Sequence, residues 1–145
     1  MKIYFAGSIR GGRDDVEFYL DIIENLQKYG EILTEHVGDK KLTSAGENLD
    51  DKLIRARDMA WIREADVIVA DISSPSLGVG YEIRDAEILE KTILCLYKLQ
   101  EGRRLSAMIA GNENLPIKTY ETLEEACKHI DDFFSNLGKI PQKSF

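Results

Sequence analysis

Near-continuous apolar runs alternate along the whole chain with stretches whose apolar positions recur every three to four residues. The first run, Ile3, Tyr4, Phe5 and Ala6, is broken by Gly7 and reads as a strand. Val16, Tyr19, Leu20, Ile23 and Leu26 then repeat at the helical period, in a helix that Asp14 or Asp15 can cap and Gly30 stops. Ile32 and Leu33 mark a short second strand, and the polar stretch 38–46 reads as a mobile loop. Ser44 and Glu47 have capping-box spacing ahead of a second helix, whose predicted buried face is Leu49, Leu53, Ala56 and Ala60. Residues 67–70 are apolar without interruption, the mark of a strand covered on both faces. A third helix runs through Ile83, Ala86 and Leu89, followed by a strand over 92–97, a short helix over 105–109 and a fifth strand over 117–120. Thr122 and Glu125 repeat the capping-box spacing, opening a last helix with Leu123, Ala126, Ile130, Phe133 and Leu137 on one face and Gly138 at its end.

This alternation predicts an α/β fold: a doubly wound, flavodoxin/Rossmann-like, five-stranded parallel sheet with strand order 2-1-3-4-5. One domain is expected over 1–139, with a loose C-terminal tail at 140–145. In such an order ligands bind beyond the carboxyl ends of the strands, at the switch point between the first and third. The loops that meet there, 7–13 and 71–80, are also the Gly- and Ser-rich loops of the chain.

Composition narrows the chemistry. With 26 acidic against 19 basic residues the net charge is −7, which argues against a general nucleic-acid surface but leaves room for a local anion pocket. No apolar run approaches the ~20 residues of a membrane span, and no signal-peptide pattern opens the chain. Two cysteines, Cys95 and Cys127, and two histidines, His36 and His129, make neither a disulfide framework nor a spaced zinc site. Neither a metal nor a cofactor is expected, and a reducing cytoplasmic or, in a eukaryote, nuclear setting fits. The cysteines read as core residues, and the two isolated histidines carry no assignment.

In the first loop, Gly7, Ser8, Ile9, Arg10 and Gly11 lead from strand to helix. Small residues bring backbone N–H groups close to an anion, the following helix start favours negative charge, and Arg10 can fork onto phosphate oxygens. The dinucleotide fingerprint and the Walker lysine are both absent. In the second loop Glu82 falls in the predicted first turn of the third helix, where the macrodipole would keep a carboxylate ionised and suited to nucleophilic attack. Asp58 lies inside the second helix beside Trp61 and Ile62. There it either sits half-buried with a raised pKa or pairs with Arg55 or Arg57. Asp71 ends the third strand as a phospho-acceptor aspartate would, but the first strand ends in Ala6, Gly7 and Ser8, with no acidic pair to hold magnesium.

Taken together, YFAGSIRGG at 4–12, DMAW at 58–61, AD at 65–66, PSLGVGYE at 75–82 and LSAMI at 105–109 resemble the 2′-deoxynucleoside 5′-phosphate N-hydrolases of the nucleoside 2-deoxyribosyltransferase superfamily. The resemblance implies hydrolysis of the N-glycosidic bond of a 2′-deoxynucleoside 5′-monophosphate to free base and deoxyribose 5-phosphate. It implies Glu82 as the nucleophile that forms a glycosyl-enzyme, with Asp58 and Tyr4 supporting the sugar, the nucleophile and leaving-group protonation. Phosphate and substrate binding would fall to Gly7, Ser8, Ile9, Arg10, Gly11, Ser76, Gly78, Ser106 and Met108. Ser106 would come from a second subunit, making a homodimer with shared active sites. The chemistry is that of retaining glycoside hydrolysis, with an oxocarbenium-like transition state beside a carboxylate.

One position separates two activities on physical grounds. The resembling transferases carry an aspartate at the place of Ser76; a carboxylate there would repel a phosphate that a serine hydroxyl can bind. Ser76 with Arg10 favours the monophosphate hydrolase. The alternatives are a nucleoside 2-deoxyribosyltransferase and a non-catalytic nucleotide-binding regulatory domain.

Overall fold

The computed structural model describes residues 1–9, 16–39, 41, 43 and 45–139. Five strands, β1 (Lys2–Ala6), β2 (Glu31–Ile32), β3 (Val67–Asp71), β4 (Thr92–Lys98) and β5 (Ile117–Tyr120), form one parallel sheet in the order β2-β1-β3-β4-β5. Among the described residues, five α-helices connect and cover it: α1 (Val16–Leu26), α2 (Asp51–Glu64), α3 (Leu77–Ile88), α4 (Ala107–Ala110) and α5 (Leu123–Asn136). The expected α/β architecture and strand order are what the chain adopts.

The period-two alternation of the strands sorts their side chains into two cores. Ile3, Phe5, Val67 and Val69 face α1 and α5, meeting Tyr19, Ile22, Leu26 and Ile130. Tyr4, Ala6, Ile68 and Ala70 face the other way, onto Met59 and Ile62 of α2 and Val79, Ile83 and Ala86 of α3. Tyr4 is thereby delivered to the layer that also carries Asp58 and Glu82. Gly7 follows β1 where there is no room for a side chain: a Cβ would lie 2.9 Å from Val37 and 3.0 Å from Tyr19.

Three local expectations are corrected. Helix α2 does not start from a Ser44–Glu47 capping box. Ser44 lies outside the described residues, and the cap is Asp50, whose carboxylate accepts from the Lys52 amide at 2.9 Å. Nor does α2 bury the face of Leu49, Leu53, Ala56 and Ala60; Leu49 and Leu53 are 51% and 62% exposed, and Met59 and Ile62 make the core contact. That stripe has helical period but points to solvent, because the other side of α2 is divided between the sheet and a cleft. Finally, α3 starts at Leu77, so Glu82 sits in its second turn, beyond the unpaired amides that make a first turn favourable for a carboxylate. The loop and tail expectations at Asp14, Asp15 and 140–145 lie outside the described residues.

Candidate active site

The site lies at the switch point between β1 and β3. Behind it lies Tyr4, buried on β1, whose phenol donates to Glu82 Oε1 at 2.7 Å. Burial and the negative charges of Glu82 and Asp58 hold the phenol well above its usual pKa, so it stays a donor. Burial pushes the Glu82 carboxyl up to about 7; Tyr4's hydrogen bond pulls the other way, and Asp58 adds to the rise. The expectation that the helix start keeps this carboxylate ionised thus meets an opposing effect, the burial that favours its neutral form.

Asp58 reaches the same cleft from α2. It is both half-buried and paired: burial raises its pKa, while the Arg57 guanidinium, 2.8 Å from Oδ1, opposes the rise. The cleft between these groups encloses about 480 Å³, with Gly7 and Ile9 from the loop after β1, and Ser76, Gly78 and Glu82 from the loop and helix after β3. Ser76 caps α3, its hydroxyl oxygen accepting from the Val79 amide at 3.3 Å, which leaves the hydroxyl hydrogen for a ligand. Ser8 is fully buried; its amide donates to the Tyr19 hydroxyl at 3.1 Å, and its own hydroxyl has no hydrogen-bond partner among the described residues. Arg10 and Gly11 lie outside the described residues. Asp71, the weighed phospho-acceptor, is fully buried and accepts from the Tyr120 hydroxyl at 2.8 Å and the Ser73 amide at 3.1 Å, which ties the end of β3 to β5.

Ser106 and Met108 are not brought to this cleft. They line an adjoining, larger cavity of about 1340 Å³ with Arg84, Arg103 and Arg104; Ser76, Leu77 and Val79 line both this cavity and the cleft. Residues that sequence reasoning left out of the site also border the cleft or its wall, among them Gly46, Leu77 and Val79. Glu47 and Ile54 line it, and His36 lies 3.6 Å from Glu47. Glu47 had a different expected partner, and nothing in the spacing of a polar loop signals that it faces Arg57. Among the described residues no three His, Cys, Asp or Glu side chains converge as a metal ion would require. What the cleft offers is one buried carboxyl, held by a phenol and able to change protonation near neutrality, beside a second carboxyl. The Ser76 hydroxyl and the start of α3 also line it.

The chain matches the family model described as nucleoside 2-deoxyribosyltransferase over residues 3–129. It is 47% identical over 141 residues to a 5-hydroxymethyl-dUMP N-hydrolase of Tetraodon nigroviridis, covering 94% of this chain and 99% of that protein. A Trichoplax adhaerens protein, provisionally named 2′-deoxynucleoside 5′-phosphate N-hydrolase 1, is 52% identical over 137 residues, covering 92% and 93%. The solved structure of the Clostridium botulinum CMP N-glycosidase BcmB shares the fold with a TM-score of 0.68 at 20% identity, over 92% of this chain and 99% of that one.

Proposed function

The chain belongs to the nucleoside 2-deoxyribosyltransferase family, and from that membership we propose that it is an N-glycosidase of 2′-deoxynucleoside 5′-monophosphates, releasing free base and deoxyribose 5-phosphate. The observation that carries this reading is the buried Glu82 carboxyl, bonded by Tyr4 at 2.7 Å and facing the same cleft as Asp58. With its pKa at about 7, roughly half of Glu82 is carboxylate at neutral pH, enough to act as a nucleophile. The reacting form is the one in which the proton that burial favours on Glu82 sits on Asp58 instead, leaving Glu82 ionised. Glu82 bonds to C1′ as the C1′–N bond breaks, and the departing base keeps the bonding pair and takes the Asp58 proton. Water then attacks C1′, its proton returns to Asp58, and the Glu82–C1′ bond breaks. Tyr4 steadies Glu82 from under the sugar ring, in the volume a 2′-hydroxyl would claim.

We assign the phosphate end to Ser76, whose hydroxyl hydrogen is not used in capping α3, and to the amides at the start of α3, with Ser8 and Arg10 as the phosphate ligands that the sequence reading expects from the loop after β1. We assign Ser106 and Met108 to the site of a partner subunit. Met108 is 85% exposed and Leu77 is 96% exposed, apolar groups that an isologous interface would cover.

The test is a panel of deoxynucleoside and ribonucleoside monophosphates incubated with purified protein, with free base as the readout. Base release from deoxynucleotides by wild type and none by Glu82→Ala is expected. Base exchange on unphosphorylated nucleosides without hydrolysis would instead mark a deoxyribosyltransferase. Mixing Glu82→Ala with Ser106→Ala subunits restores activity if sites are shared, because one site of each heterodimer keeps both residues; a mixture that stays inactive under demonstrated subunit exchange rejects sharing.

A further inference from the structure

The Arg57 guanidinium is engaged on both edges. Nη1 and Nη2 fork onto the two carboxylate oxygens of Glu47 at 2.6 and 2.7 Å, and Nε lies 2.9 Å from Asp58 Oδ1. Its face lies over Trp61, with the guanidinium carbon 4.6 Å from the ring centroid, and His36 approaches Nη2 at 3.4 Å. All three ionic side chains are mostly withdrawn from solvent, at 24%, 16% and 17% exposure for Arg57, Glu47 and Asp58. The planar fork of such a charge-assisted, bidentate pair fixes direction as well as distance. Glu47 and its neighbour Gly46 form part of the cleft wall, in a stretch that precedes the first turn of α2.

We propose that Arg57 is a positioning residue that couples the cleft wall to the catalytic carboxyl: one guanidinium aims Asp58 into the cleft and, through Glu47, holds the segment around Gly46 and Glu47 against the substrate. The inference rests on the role given above to Asp58. The charged and titratable groups that face Asp58 are Arg57, Glu47 and His36 on one side and Glu82 and Tyr4 across the cleft. Arg57 opposes the burial-driven rise of Asp58, and Glu47 adds to it. Removing Arg57 therefore raises the Asp58 pKa and removing Glu47 lowers it, while both loosen the same wall.

Three variants separate the possibilities. Arg57→Met removes both contacts, Glu47→Gln takes the charge and one arm of the fork from the wall contact alone, and Arg57→Lys keeps a charge that cannot fork. Amide hydrogen exchange at 45–49 is expected to speed at least tenfold in Arg57→Met and Glu47→Gln, whatever the enzyme's activity. In the base-release assay Arg57→Met is expected to lose at least tenfold in kcat, with its pH profile displaced to higher pH. Glu47→Gln should raise KM more than it lowers kcat, with the profile displaced to lower pH, and Arg57→Lys should recover part of kcat but not KM. Unchanged exchange at 45–49 in both Arg57→Met and Glu47→Gln overturns the proposal, as does a loss of kcat with an unmoved pH profile. If Arg57→Met does not fold, the Glu47→Gln and Arg57→Lys results decide alone. A wild type that releases no base refutes the N-glycosidase reading, and the exchange data still judge the clasp.

Discussion

Replacing Glu82 by Gln is expected to abolish activity and to stabilise the fold, by an amount that depends on pH. The glutamine keeps the shape and the carbonyl oxygen that accepts from Tyr4, so the contact at 2.7 Å is preserved while the charge is gone. In the folded protein Glu82 titrates at about 7 rather than the usual 4.5, because burial penalises its ionised form. A carboxyl whose folded pKa is raised contributes fully at pH below the unfolded value and loses that contribution as pH rises to the folded one. For a displacement from 4.5 to about 7 the loss is about 3 kcal/mol, complete above neutrality. Wild type and Glu82→Gln should therefore differ little in stability near pH 4.5. The variant should pull ahead between pH 5 and 7 and hold a gain of ~1–3 kcal/mol at pH 8. Urea unfolding of both proteins across this range measures the difference directly, since the other titrating groups are common to both. A difference independent of pH, or a wild type that gains on the variant as pH rises, would refute a desolvated Glu82.

Three further outcomes test the rest of the cleft. Tyr4→Phe removes a hydrogen bond to a charged group, worth ~1.5–3 kcal/mol, so kcat/KM on deoxynucleotides should fall roughly 10- to 150-fold and the gap to ribonucleotides should narrow. Ser76→Asp retains an N-cap acceptor for α3, so urea unfolding should be nearly unchanged, while KM for monophosphates should rise steeply through charge repulsion. Gly7→Ala forces a Cβ to 2.9 Å from Val37 and 3.0 Å from Tyr19; a loss of ~1–3 kcal/mol in urea unfolding is expected, against near-neutrality for Gly80→Ala, where a Cβ meets nothing within 4 Å.

The strand pattern, the alternation of elements and the switch-point geometry were legible in the chain itself. Uninterrupted apolar runs such as 67–70 exist only where both sheet faces are covered, and a parallel sheet so covered leaves few orders open. The same alternation assigns Tyr4 and Ala6 to one face of β1 and Ile3 and Phe5 to the other, so Tyr4's layer follows from sequence period once the fold is known. Periodicity is blind to which side of a helix meets the sheet when that helix overhangs a cleft. Leu49 and Leu53 obey the helical period yet face solvent, while polar Asp58 and Arg57 turn inward. The protonation state of Glu82 was equally out of reach. A helix position one turn from its end says nothing of the dehydration around the carboxyl, which depends on what β1 and α2 pack around it. The Glu47–Arg57–Asp58 clasp joins a loop without period to a helix ten residues on. Sequence determined which elements form and where a ligand crevice must open. Only the packed structure decided which side chains share that crevice and what charge they hold there, because burial and pairing are properties of neighbours distant in the chain.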